Sequence, residues 1–449
     1  MHPLLLRVFA EFERADIRYC VVRGYEELAA LDDTGDVDIL VQATQLHTLK
    51  NLLAQLQFVR LPRWGYDPHQ FFVAYDEATD RWLKLDIVSE IVYGNPLPVF
   101  ETQLADGCLT RRIHCGPTYV PAPEDELVTL LLHCLLDKGA FAPHRLQRIQ
   151  ALRQEVRDEA LLNRLLRTCW SPDMTWVRLA SMIDSEAWSA LLSAARGITK
   201  QLQQQRRRSV LQRRMRGRIL RKLDRVAGLV QPRSLTVALL APDGGGKTTL
   251  ATELVRRFFL PSRYIYMGTN IDASTVGLPT TRWLQTQSRQ AAKPLRLLAR
   301  GLRFPNNVVE QWYRYGMSYY HMLRGRLVLF DRYMYDAPGN NRRLSLKSRL
   351  RRWMLVAIAP EPNLVVFLDA PGAVLYARKG EHSPEILEQQ RQHYLSLQQQ
   401  LPQMVVVDAT NTAEQVRRKV TALIWQWYAK RVRGDSSAQT QPHTVMGER

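Results

Sequence analysis

The chain has 449 residues, 46% of them hydrophobic, with 62 Lys and Arg against 43 Asp and Glu. Such a length implies two or three domains with proper cores, and the ordinary apolar content excludes global disorder. The net charge of +19 invites polyanions, and nucleotide phosphates, nucleic acid and anionic lipid all qualify.

Residues 1–120 alternate helix and strand. Leu4 to Ala15 reads as an amphipathic helix, Tyr19–Arg23 and Val37–Val41 as strands, and Leu46–Gln57 as a helix. Phe71–Tyr75 and Trp82–Val88 read as neighbouring strands about the polar Asp76–Asp80 turn. The opening Met-His-Pro-Leu-Leu-Leu, followed by Glu11, Glu13 and Arg14, does not read as a signal peptide. Five scattered cysteines without a CxxC pair argue against a zinc site or a disulfide framework, and suit a cytoplasmic location.

Arg23-Gly24 closes a strand, and Gly35-Asp36-Val37-Asp38-Ile39-Leu40-Val41 follows. Residues two apart in a strand share a face, so Asp36 and Asp38 point together. Asp86, in Lys84-Leu85-Asp86-Ile87-Val88, is expected on a strand beside them. Three carboxylates on adjacent strands suit one or two Mg²⁺ ions holding a triphosphate, and without metal their mutual repulsion is costly. The pattern resembles the nucleotidyltransferase superfamily, in bacterial proteins with an Arg-Gly … Gly-Asp-x-Asp signature. The resemblance implies an α+β domain followed by a helical region. Here the family's Gly-Ser pair reads Gly24-Tyr25, which removes a hydroxyl from the triphosphate contact, so the domain is an active transferase or a degenerate metal- or nucleotide-binding module.

From Pro123 the pattern turns helical, with Glu124 and Asp125 in a first turn and an apolar face from Leu127 to Leu136. His133 and Lys138 read as a satisfied core histidine and a surface lysine, or as cleft residues. Residues 200–225 hold a Gln/Arg tract whose ten basic side chains from Arg206 to Arg225 face one acid. This is expected to be a basic amphipathic helix: a solvated connector, or a surface for anionic membrane or nucleic acid.

From Ser234 a second α/β pattern begins. Leu235–Leu240, Tyr264–Met267, Leu327–Phe330, Leu364–Leu368 and Met404–Val407 are apolar runs separated by helical stretches, as in a doubly wound parallel sheet. The first run leads into Ala241-Pro242-Asp243-Gly244-Gly245-Gly246-Lys247-Thr248-Thr249 and a helix over Leu250–Phe259. This is a phosphate-binding P-loop in its strand–loop–helix setting, with Ala241 where the motif has its first Gly. The glycines let backbone N–H groups converge on the phosphates, Lys247 reaches the β/γ-phosphates, and Thr248 ligates Mg²⁺. Asp331 and Arg332 end the third run, where open α/β sheets bind ligands. Asp331 is placed to hold Mg²⁺ or orient an acceptor, and Arg332 to clamp an acceptor phosphate. A plain Asp331–Arg332 ion pair is the alternative.

Residues 234–430 resemble the thymidylate kinase-like group of nucleoside monophosphate kinases. The resemblance rests on Pro242-Asp243-Gly244-Gly245-Gly246-Lys247-Thr248-Thr249, Asp331-Arg332-Tyr333, the run ending in Asp369-Ala370-Pro371, Arg378-Lys379, Arg391-x-x-Tyr394 and Asp408-Ala409. It implies an ATP-dependent kinase using Mg²⁺, with Asp243 contacting the acceptor and Arg378 the ATP phosphates. The family's Thr-Arg-Glu-Pro segment is replaced by Tyr266-Met267-Gly268-Thr269-Asn270, and residues 271–326 are long, aromatic and basic. Its Trp283, Trp312, Tyr313, Arg314, Tyr315, Tyr319 and Tyr320 are core or ligand-stacking residues. The acceptor is therefore expected to be dTMP, another nucleotide or a sugar-phosphate-like metabolite.

The expected organisation is a nucleotidyltransferase-like domain at 1–122, a helical extension at 123–199 and a basic linker helix at 200–233. A kinase domain at 234–432 and a loose tail at 433–449 follow. An NTP at both domains and a homo-oligomer are compatible with this reading. The rival class is an NTP-binding regulator docked on nucleic acid or anionic membrane.

Overall fold

The computed structural model describes residues 1–29, 35–61, 67–171, 173–227, 234–267, 277–290, 293–331, 333 and 361–433. It divides into two units, Met1–Val226 and Ala227–Arg449. Arg332, residues 228–233 of the expected linker, Gly268–Asn270 and all of the expected tail beyond Arg433 lie outside the described residues.

The first unit is built on a mixed sheet in the order β1-β2-β5-β4-β3. Its strands are β1 (Tyr19–Val21), β2 (Asp36–Val41), β3 (Val59–Arg60), β4 (Gln70–Asp76) and β5 (Arg81–Val88). β2 and β5 are parallel, while β1 and β4 join their neighbours antiparallel. Helix α1 (Pro3–Arg14) starts with Pro3 in its first turn, and the His2 ring accepts the Leu4 N–H at 3.2 Å. Its apolar spacing buries Leu5, Val8, Phe9 and Phe12, and Phe9 stacks on Tyr19 at 5.6 Å. α2 (Leu46–Gln55) closes the same core through Leu49 and Leu53.

A second core continues from this sheet into the helices. α3 (Leu104–Thr110) precedes α4 (Pro123–Leu132), α5 (Pro143–Glu155), α6 (Glu159–Cys169), α7 (Trp176–Asp184) and α8 (Trp188–Gln205). Two short antiparallel pairs, β6 (Val92–Tyr93) with β7 (Phe100–Glu101) and β8 (Ile113–Cys115) with β9 (Thr118–Val120), join sheet to helices. The acids of the first turn of α4 are anchors as well as helix-end charges. Asp125, fully buried, takes two bonds from Arg111 at 2.8 and 2.6 Å, and Glu126 takes two from Arg148 at 2.7 and 2.6 Å. Glu124 accepts the backbone N–H groups of Arg157 and Asp158. The last turn of α4 widens over His133–Lys138 and ends at Gly139, which is left-handed at φ +64°.

The Gln/Arg tract is two helices rather than one. α8 ends at Gln205, the chain turns at Arg206, and α9 runs Arg207–Ala227. One side of α9 packs on the rest of the first unit: Arg213 pairs with Glu101 and Glu90, and Arg206 in the turn before the helix also pairs with Glu101. Among the described residues no helix is long and apolar enough to cross a membrane.

The second unit holds a five-stranded, all-parallel sheet in the order β11-β12-β10-β13-β14. The strands are β10 (Leu235–Leu240), β11 (Ser262–Tyr266), β12 (Leu327–Asp331), β13 (Leu364–Asp369) and β14 (Met404–Asp408). Central β10 is buried at every residue, which is why it reads as a continuous apolar run. Its helices include α10 (Lys247–Arg257), α11 (Pro279–Gln290), α12 (Lys293–Leu323), α13 (Gly372–Lys379), α14 (Pro384–Leu397) and α15 (Ala413–Arg433). The α/β architecture with this strand order agrees with the expected P-loop kinase fold, and it brings the C-terminal ends of β10 and β12 side by side.

Candidate functional site

In the second unit the loop between β10 and α10 is built from close approaches. Gly244 and Gly246 have φ of +87° and +81°, conformations that side chains resist. A Cβ on Gly244 would stand 2.6 Å from the Leu375 carbonyl, and one on Gly245 would stand 2.4 Å from Ala241 Cβ. Ala241 itself is outside the positive-φ set, so the departure from the motif is tolerated, and the loop is moulded around its methyl group. Lys247 is buried and donates to the carbonyls of Ala241 at 2.5 Å and Pro242 at 3.1 Å. Asp243 Oδ2 lies 3.7 Å from His382, and Thr249 is exposed in the first turn of α10.

The structure brings Thr248 and Asp331 together. Thr248 Oγ1 donates to Asp331 Oδ2 at 3.2 Å, and the Tyr264 hydroxyl donates to the same oxygen at 2.7 Å. Asp331 is only 1% exposed, and its Oδ1 has no hydrogen-bond partner among the described residues. A buried carboxylate oxygen left unanswered is costly, and a hard divalent cation is a natural counterpart for it. The Thr248 hydroxyl and the Asp331 carboxylate therefore fit Mg²⁺. Burial pushes the Tyr264 phenol pKa up, and its bond to Asp331 adds to this, so Tyr264 remains a donor. Sequence reasoning missed Tyr264; the available signal was its place two residues before the end of a strand paired with β12.

Other expected residues are placed elsewhere. Arg378, in the last turn of α13, donates to the Ala409 carbonyl at 2.8 Å, beside the loop after β14. Arg391 holds Asp369 with two bonds at 2.6 and 3.0 Å and also reaches Glu388. On α12, Arg314 is buried against Glu310 and donates to the Tyr266 carbonyl at 3.1 Å. Tyr315 is buried too, whereas Trp283, Trp312, Tyr313, Tyr319 and Tyr320 are exposed.

In the first unit, the parallel register of β2 and β5 sets Asp38 opposite Asp86, while Asp36 is exposed and opposite Lys84. The carboxylates are answered by protein cations. Arg23 donates to Asp38 Oδ2 through Nε at 3.1 Å and a terminal nitrogen at 2.8 Å. Burial works against ionised Asp38, but Arg23 outweighs it and holds the carboxyl below its usual range. His69 Nδ1 lies 2.7 Å from Asp86 Oδ2; burial lowers the imidazole pKa, and the bond to Asp86 more than restores it, for a net rise. Asp86 is itself raised by burial, and its Oδ1 has no hydrogen-bond partner among the described residues. Asp36, Asp38 and Asp86 are thus not gathered as a three-carboxylate metal site. Among the described residues no cluster of three or more His, Cys, Asp or Glu side chains is placed to hold a metal. The repulsion expected of the three acids is relieved by Arg23, by His69 and by the exposure of Asp36.

His133 bonds Asp137 at 2.8 Å and is held below its ordinary pKa by burial, while Lys138 is exposed, matching the structural alternative for both. Beside Arg23 lies a cavity of 260 Å³ with Tyr25, Cys115, Glu126 and Arg148 in its wall.

No family model matches the chain. It is 29% identical over 234 residues to the thymidylate kinase of Xanthomonas euvesicatoria pv. vesicatoria (strain 85-10), a match covering 47% of this chain and 92% of that protein. It is 24% identical over 204 residues to the probable thymidylate kinase of Pyrococcus horikoshii, covering 43% of this chain and 96% of the relative. About half of the chain is therefore thymidylate kinase-like, and the likeness supports a kinase-like, nucleotide-binding enzyme.

Proposed function

We propose that the chain is an ATP- and Mg²⁺-dependent nucleotide kinase whose second unit phosphorylates dTMP or a closely related monophosphate. The observation that carries this reading is the buried Asp331 with its unanswered Oδ1, set beside Thr248 at the mouth of the P-loop. Near-complete coverage of two relatives named as thymidylate kinases supports the same reading. Bound Mg²⁺ would neutralise phosphate charge and would be held by Thr248 and Asp331. Lys247 would leave the Ala241 and Pro242 carbonyls for the β/γ-phosphates while the loop N–H groups cradle them. Asp243 and Arg332 are the proposed acceptor contacts, and Arg378 the proposed ATP contact from the side of the Ala409 loop.

For the first unit we propose a nucleotidyltransferase-like module, supported by the Asp38–Asp86 pairing across parallel strands. Asp38 already faces Arg23 and one oxygen of Asp86 faces His69, so the proposed turnover lies in the second unit. The test is ADP release from ATP with dTMP, other monophosphates and sugar phosphates as acceptors, in wild type and Lys247→Ala. The proposal expects acceptor-dependent ADP that Lys247→Ala abolishes. ATP hydrolysis that ignores every acceptor but rises with added polyanion would favour the regulator class instead.

A further inference from the structure

α9 is docked on the first unit by one side only. On that side Ser209 Oγ donates to Glu101 at 3.0 Å, Arg213 pairs with Glu90 at 2.5 Å, and Arg221 reaches the Pro96 carbonyl. Val210 is buried, and Gly217 lies so close that a Cβ there would stand 2.9 Å from Leu97 Cδ2. The single acid of the helix, Asp224, is half-buried.

The opposite side breaks the usual rule for a surface helix, whose outward residues are polar. Leu211, Met215, Ile219 and Leu223 are 58, 56, 55 and 48% exposed. At about 100° per residue, these four fall within an arc of roughly 120°. Interleaved with them stand exposed Arg207, Arg208, Arg218 and Lys222, none of which has an acidic partner among the described residues. Most acids are drawn to the docked side; at the edge of the outer one exposed Arg216 meets exposed Asp67 at 3.5 Å, and the outer side otherwise keeps one sign of charge together with a row of aliphatics.

That combination selects its counterpart. Guanidinium and ammonium groups pair with a sheet of phosphates, and aliphatic side chains between them need an apolar layer directly beneath it. A nucleic acid offers the phosphates but no such layer, and α9 has no aromatic residue to stack on bases. We propose that the outer face of α9 docks the protein on anionic phospholipid membranes, lying in the interface while its other side holds the first unit. This stands apart from phosphoryl transfer in the second unit.

The test is co-sedimentation of the full chain with phosphatidylcholine vesicles, with and without phosphatidylserine, at low and physiological salt. Binding is expected only with phosphatidylserine and should weaken with salt. Arg208→Gln/Arg218→Gln should weaken it about 30-fold, since each basic residue near an anionic surface contributes about 1 kcal/mol. Leu211→Ser/Ile219→Ser should weaken it at least about tenfold. Both variants alter exposed positions and should keep the wild-type melting temperature, which confirms that any loss is local. Absence of binding at low salt would overturn the proposal, as would serine variants that bind like wild type. Tighter binding of a duplex oligonucleotide than of phosphatidylserine vesicles would overturn it in favour of nucleic acid. ATP affinity, measured on the same samples, reports on the P-loop separately, so failure of either reading is recognisable.

Discussion

Replacing Tyr264 with Phe removes the hydroxyl that donates to Asp331 Oδ2 at 2.7 Å and leaves the ring in place. A hydrogen bond to a charged acceptor contributes about 1.5–3 kcal/mol. Asp331 is 1% exposed, so water cannot replace the donor, and the remaining bond from Thr248 is longer at 3.2 Å. The upper part of that range, about 2–3 kcal/mol, is therefore expected, equivalent to a fall of about 5–10 °C in the melting temperature of a unit of this size. Asp331→Asn should do the reverse. Its amide oxygen still accepts from Tyr264 and Thr248, while a buried charge is removed, so the ligand-free protein should melt at or above the wild-type temperature. Its Mg²⁺-dependent affinity for ATP should drop at least about tenfold, because the anionic ligand is lost. Tyr264→Phe should instead be stabilised by Mg·ATP more than wild type is, since a cation answers the same carboxylate. Thermal melts of the full chain with no ligand, with ATP plus Mg²⁺ and with ATP plus chelator read all three effects. An unchanged ligand-free melt for Tyr264→Phe, or a full Mg²⁺-dependent shift for Asp331→Asn, would refute the reasoning.

Gly244→Ala forces a side chain onto a φ of +87° with its Cβ 2.6 Å from the Leu375 carbonyl. It should cost about 1–3 kcal/mol and weaken ATP binding measured by calorimetry; unaltered affinity would show that the close approach is dispensable. His69, with its pKa raised by Asp86, contributes stability that is complete below the unfolded value of about 6.5 and lost as pH rises through the folded value. The first unit should therefore weaken as pH rises through this window, and His69→Asn should flatten that slope in denaturant titrations; an unchanged slope would mean the pair contributes nothing. Arg314→Met strands the Glu310 carboxylate in the interior and should cost about 3–5 kcal/mol, most of it recovered by adding Glu310→Leu. A double variant no more stable than the single one would place the cost elsewhere.

What was legible in the sequence was local. The strands of the second sheet show as apolar runs because both faces are buried, and the P-loop shows because its glycines answer backbone demands within a few residues. Asp331 shows as a strand-end acid for the same reason. What was not legible depends on partners brought from far along the chain. Tyr264 reaches Asp331 across 67 residues, Arg23 reaches Asp38 across 15, and His69 reaches Asp86 across 17. Spacing shows that Asp36 and Asp38 lie on one face, but not that an arginine waits for one of them. The basic tract misled in a similar way. Its composition is uniform, and the contacts of Ser209 and Arg213 with Glu101, with the burial of Val210, show which side of α9 is spoken for.

Asp38, Asp86, Asp331, Asp369 and Asp408 look alike in sequence, each an acid in or at the end of a strand, and the supply of donors separates them. Asp369 takes two bonds from Arg391, and Asp38 takes two from Arg23. Asp408 is held below its usual range by the Thr410 hydroxyl and backbone N–H, with Asn411 adding a third donor. A cation approaching Asp369 or Asp38 must first displace a guanidinium, and at Asp408 it meets a carboxylate already engaged in its own turn. Asp86 is intermediate: one oxygen is unanswered, but the other holds an imidazole that supplies positive charge itself. Asp331 differs from all of these. Its two donors are neutral hydroxyls, both on one oxygen, and among the described residues it has no ion pair. Its charge is thus oriented without being cancelled, at almost no exposure to water. Such a carboxylate gains most from a cation that arrives with a ligand, and its hydroxyl partner Thr248 directly follows Lys247 in the phosphate-binding loop.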